Sequence, residues 1–82
     1  MHEYSLVQAM FDQIGTVVRN TGAVSVRRVR VQIGRRAGVD PDLFRTAYHL
    51  FRVKTFCAEA PLEVLGAAGD ELTLEQLELE VP

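Results

Sequence analysis

The run VRVQI at residues 29–33 admits little but a β-strand. Val29, Val31 and Ile33 alternate with Arg30 and Gln32, and Arg28 continues the polar set. A period of two puts the aliphatic side chains on one face and the charged ones on the other. One strand cannot bury such a face alone, so the rest of the chain must supply neighbouring strands and a cover.

The cover is written on both sides of it. Leu6, Met10, Ile14, Val17 and Val18 recur at helical spacing from Leu6 to about Arg19, with Val7 and Phe11 widening the stripe. Ser5 with Gln8 three residues on reads as a capping box, which sets the helix start just beyond Glu3. Asn20, Thr21 and Gly22 end it. After the strand, GRRAG is a turn, and VDPDLF opens a second helix with Asp40 as N-cap, Pro41 at the first position and Asp42 in the first turn. Leu43, Phe44, Ala47, Tyr48, Leu50 and Phe51 form its apolar side, Asp42, Arg45, His49 and Arg52 face water, and it should close near Lys54.

In PLEVLGAAGDELTLEQLELEVP, Leu62 and Val64 mark a short strand, Gly66 to Gly69 a loop, and Glu71 to Val81 a longer strand. Leu72 and Leu74 share one parity, whereas Leu77, Leu79 and Val81 share the other. The slip at Glu75–Gln76 predicts a β-bulge or sharp bend, since otherwise half of the leucines would face water. The expected fold is α/β: one two-layer domain over residues 1–82, two helices on a three-stranded sheet, in the order helix-strand-helix-strand-strand.

At 82 residues the chain has room for one small domain, and its single cysteine excludes an intrachain disulfide or a cysteine-only zinc site. No signal segment or long apolar run is present, so a cytoplasmic protein with no membrane partner is expected. Its nine basic residues all lie between Arg19 and Lys54, and Glu59 to Val81 holds seven acidic residues and no basic one. Adjacent strands can satisfy such halves against each other, or the asymmetry can leave a basic face for an acidic partner. Without an aromatic-rich basic strand or reader motif, nucleic acid is not an expected partner.

The amino terminus carries the one arrangement with distinctive chemistry. The Met1 amine, the His2 amide nitrogen and the His2 imidazole close a five-membered and then a six-membered chelate ring. Three nitrogens in that geometry suit a square-planar Ni²⁺ or Cu²⁺ and leave one position open. Glu3 and Asp40 are the candidates to fill it, if the second helix starts beside the first. Both the amine and the imidazole take up protons on mild acidification, which would weaken binding. A solvent-frayed His2 and an Asp40 that only caps its helix are the plain alternatives. His49 reads as a surface residue and Cys57 as a packed thiol. No nucleophile–base set or phosphate loop is present, so an enzyme is not expected.

MHEYSL, VRVQIG with GRRAGVDPDLF, FRVKTF and GDELTLEQLELEV, in this order, resemble the HypA/HybF family. The resemblance implies a nickel metallochaperone for [NiFe]-hydrogenase maturation. It places nickel on Met1, His2 and Glu3, with Asp40 at the family's acidic position. It also implies a maturation GTPase or the hydrogenase large subunit as partner, with the amino-terminal segment in the partner-facing surface. The family's zinc-binding lobe, with its two CxxC pairs, is missing: a short loop near 65–69 takes its place, so no structural zinc is expected. A loop between paired strands tolerates such a change. Two functions follow, a carrier of Ni²⁺ or a docking module that moves no metal. A homodimer through a Leu72–Val81 edge strand is a further possibility.

Overall fold

The computed structural model describes residues 2–82; Met1 lies outside the described residues. Five elements follow in the expected order: α1 (His2–Thr21), β1 (Ser25–Gly34), α2 (Pro41–Phe51), β2 (Leu62–Ala67) and β3 (Leu72–Glu80). β1 is the central strand, parallel to β2 on one edge and antiparallel to β3 on the other. One core unites both helices with one face of the sheet, built around Val7, Ile14, Val29, Val31, Phe44 and Tyr48.

The alternation in β1 sets the two faces as expected. Val29, Val31 and Ile33 are buried, and the arginines point to the open face. There Arg30 meets Glu63 of β2 at 2.8 Å and Glu75 of β3 at 3.9 Å, while Arg28 meets Glu78 at 3.7 Å. The basic and acidic stretches thus face each other across the sheet. The parity slip in β3 is a bulge: Gln76 pairs with Arg30 and Leu74 with Val31, leaving Glu75 as the extra residue. Leu72, Leu74, Leu77 and Leu79 consequently all pack against the core.

Several boundaries differ from expectation. α1 begins at His2, so Ser5 lies within the helix rather than at its cap. Tertiary contacts extend it: Tyr4 packs its ring 5.6 Å from that of Phe51, and Glu3 reaches the start of α2. α2 stops at Phe51, and turns follow in which Lys54 takes a left-handed φ of 63°. Leu43 and Leu50, assigned to the apolar side of α2, are instead 49% and 70% exposed. Tyr48 ties the turn region to this helix by donating to the Ala60 carbonyl at 2.7 Å, and Arg52 donates to the same oxygen at 2.9 Å.

The largest correction concerns the last two strands. β2 and β3 do not pair with each other but flank β1, so the chain between them crosses the end of β1. β2 also runs on to Ala67, which moves that connection from 65–69 to residues 68–71. The crossing is held by main-chain bonds: Gly34 N–H to Glu71 O (2.8 Å), Arg35 N–H to Ala67 O (2.8 Å) and Arg36 N–H to Gly69 O (3.0 Å). A side chain on Gly34 would run into the Gly69 carbonyl.

Gly34→Ala should therefore destabilise the fold by about 2 kcal/mol, as overpacking against a backbone that cannot yield. Gly66→Ala, in open space on β2, should be nearly neutral. Urea unfolding of both variants checks this, and equal midpoints would show that the crossing relaxes freely.

Candidate metal centre

His2 and Glu3 occupy the first turn of α1, and His2 is exposed. The first four N–H groups of a helix have no intrahelical acceptor. The His2 amide is therefore not engaged in the helix ladder, and removing its proton would break no helical hydrogen bond.

Asp40 stands where the sequence put it, as the N-cap of α2. Its Oδ1 accepts from the N–H groups of Asp42 (2.9 Å) and Leu43 (3.2 Å), and Pro41 opens the helix. Its own main-chain N–H donates to Glu3 Oε2 at 3.1 Å. The two helix starts are thus joined, which was the condition for Glu3 and Asp40 to belong to one site. What sequence reasoning missed is that Glu3 binds the Asp40 backbone, a contact with no signature in residue type.

That bond holds the Glu3 carboxyl below its ordinary value. The Asp40 N–H contributes most, then the N–H of Glu3 itself; desolvation opposes both, and nearby His2 and Asp40 add smaller effects of opposite sign. The three side chains therefore share one electrostatic neighbourhood. They do not form a cage: among the described residues, no three His, Cys, Asp or Glu side chains are grouped to hold a metal ion. A metal at this end would need main-chain donors, of which the unengaged His2 amide is one.

The remaining candidates stay as expected. His49 is exposed, and Cys57 is fully buried, with burial the main cause of a thiol pKa pushed up to about 11. Such a thiol stays protonated at neutral pH and is a poor ligand or nucleophile. No helix among the described residues is long and apolar enough to cross a membrane. Beside Glu3, a groove of about 210 Å³ is lined by Tyr4, Leu43, Thr46, Ala47 and Leu50.

Comparison with known proteins places this geometry in context. A family model described as hydrogenase/urease nickel incorporation, metallochaperone, hypA, matches residues 1–71. A hydrogenase maturation factor HypA from Shewanella oneidensis is 39% identical over 62 residues, covering 76% of this chain and 52% of that protein. A second, from Wolinella succinogenes, is 36% identical over 64 residues, covering 78% and 54%. The chain thus spans about half the length of these curated relatives. The solution structure of the Ni metallochaperone HypA from Helicobacter pylori superposes with a TM-score of 0.87 over 98% of both chains. At 21% identity this last likeness speaks to the fold.

Because the depressed Glu3 carboxyl gains its hydrogen bond only when ionised, its stabilisation is fully present above the ordinary value of 4.5. It is lost as pH falls from there through the lower folded value. Glu3→Gln should flatten this acid limb of the stability profile. Urea midpoints measured down the acid range check it, and an unchanged slope would mean the bond to Asp40 contributes nothing.

Proposed function

The chain belongs to the HypA family, and on that footing we propose that it is a nickel metallochaperone of hydrogenase maturation. It binds Ni²⁺ at its amino terminus and hands it on without catalytic turnover. The Met1 amine, the His2 amide and the His2 imidazole hold the ion. Glu3 and Asp40 close or tune the fourth position. The observation that carries the reading is the placement of His2: exposed, in the first turn of α1, with an amide outside the helix ladder and Glu3 and Asp40 joined beside it.

Handover follows from the same features. A planar ion with one weakly held position exchanges a carboxylate or water for a ligand of the acceptor. The partners that fit are a maturation GTPase and the large subunit of the hydrogenase. We assign the place of the family's zinc lobe to the crossing at residues 68–71, so this domain carries nickel with no structural zinc of its own.

The exposed groove of Tyr4, Leu43 and Leu50 favours a second reading, a docking module that holds a maturation protein without moving metal. Calorimetric titration of Ni²⁺ into protein with a native amino terminus separates the two. One nickel per chain, lost in His2→Ala and in a chain whose terminal amine is acetylated, is the expected result. Absence of specific binding to the native chain would leave the docking module as the working function.

A further inference from the structure

The outer edge of β3 has no strand beyond it among the described residues. Such an edge offers unpaired N–H and C=O groups to any extended chain. Leu72–Glu80 contains no lysine or proline to blunt it, and beyond the bulge at Glu75 the residues Gln76–Glu80 run without a further insertion, the second register shift falling on β1 between Val26 and Arg28. Every charge on β3 is negative: Glu75, Glu78 and Glu80. Its opposite face carries half-buried leucines. A groove of about 190 Å³ lies there, walled by Leu6, Ala9 and Gln13 of α1 and by Leu72 and Leu74 of β3.

We infer that the outer edge of β3 is a docking strand for an extended segment of another protein in which basic and aliphatic residues alternate. The inner edge already shows what β3 accepts. β1 sets Val29 against Leu77 and Val31 against Leu74, while Arg28 and Arg30 reach Glu78 and Glu75. Those ion pairs, at 3.7 and 3.9 Å, are loose, and a carboxylate has further acceptor sites to offer. An incoming strand of the same alternation repeats the pattern on the other side, with arginines or lysines over Glu78 and Glu80 and aliphatic side chains along the leucines.

A second copy fits this edge poorly. Antiparallel pairing of β3 with its own counterpart sets Glu78 against itself when centred there, against Glu80 when centred on Leu79, and sets Leu79 against Glu75 when centred on Leu77. β2 of another copy would bring Glu63, again acidic. The surface uses none of the nickel-site residues, so this inference goes beyond the metal-carrier reading and stands apart from it.

The test uses a fluorescein-labelled peptide of alternating arginine and valine, followed by anisotropy and by amide shift mapping on the wild-type chain. Controls are a peptide of the same composition with the arginines in one block, and an alternating glutamate–valine peptide. Saturable binding of the alternating basic peptide alone is expected, with shift changes confined to 72–80. Glu78→Gln combined with Glu80→Gln should weaken it about three- to tenfold, and His2→Ala should leave it unchanged. No binding, equal binding of the block peptide, or shifts centred elsewhere would overturn the inference. So would a dimer, seen by sedimentation, whose β3 contact the peptide does not displace.

Discussion

β1 is the strand on which the other elements depend, because among the described residues it alone pairs on both edges. Its valines supply the floor of the core and its arginines the counter-charges for both neighbours. Placing β2 and β3 on opposite sides forces the chain across the end of β1, and Gly34 makes that passage possible by having no side chain. The same crossing joins residues 34–36 to residues 67–71 by main-chain bonds, so it closes the sheet as well as turning the chain.

From that frame the helices have one face to cover, and their starts come together at one end. Glu3 on the Asp40 amide ties the first turn of α1 to the start of α2, and Tyr4 on Phe51 ties that same turn to the end of α2. The carboxylate at the cap and the carboxylate at the helix start each have a structural task. From His2 onward this end of the molecule is therefore held by contacts within the chain, so the proposed coordination would ask little further ordering of it. An N-terminal histidine on a frayed tail would pay a larger ordering cost.

Much of this was legible in the residues. The parity slip of the leucines located the bulge at Glu75, because strand period is strict and a misplaced leucine is costly. The Asp40–Pro41 cap was equally clear, since it is local chemistry. The start of α1 was not, because the contacts that extend it to His2 come from residues about forty to fifty positions away. The strand order was hidden for the same reason: the turn residues around Gly66–Gly69 suit a hairpin as well as a crossing, and only pairing with β1 distinguishes them. At the candidate metal centre, sequence offered His2, Glu3 and Asp40 as candidates, while the hydrogen bond from the Asp40 backbone to Glu3 could not be read from residue types.

The proposed coordination has a direct spectroscopic consequence. Ni²⁺ held by an amine, a deprotonated amide and an imidazole in a plane is low-spin and diamagnetic. Proton NMR of the nickel-loaded chain should then show sharp, unshifted resonances throughout α1, with the His2 amide signal gone. Paramagnetically shifted or broadened resonances around His2 and Glu3, with nickel bound but not planar, would contradict main-chain coordination at the amino terminus.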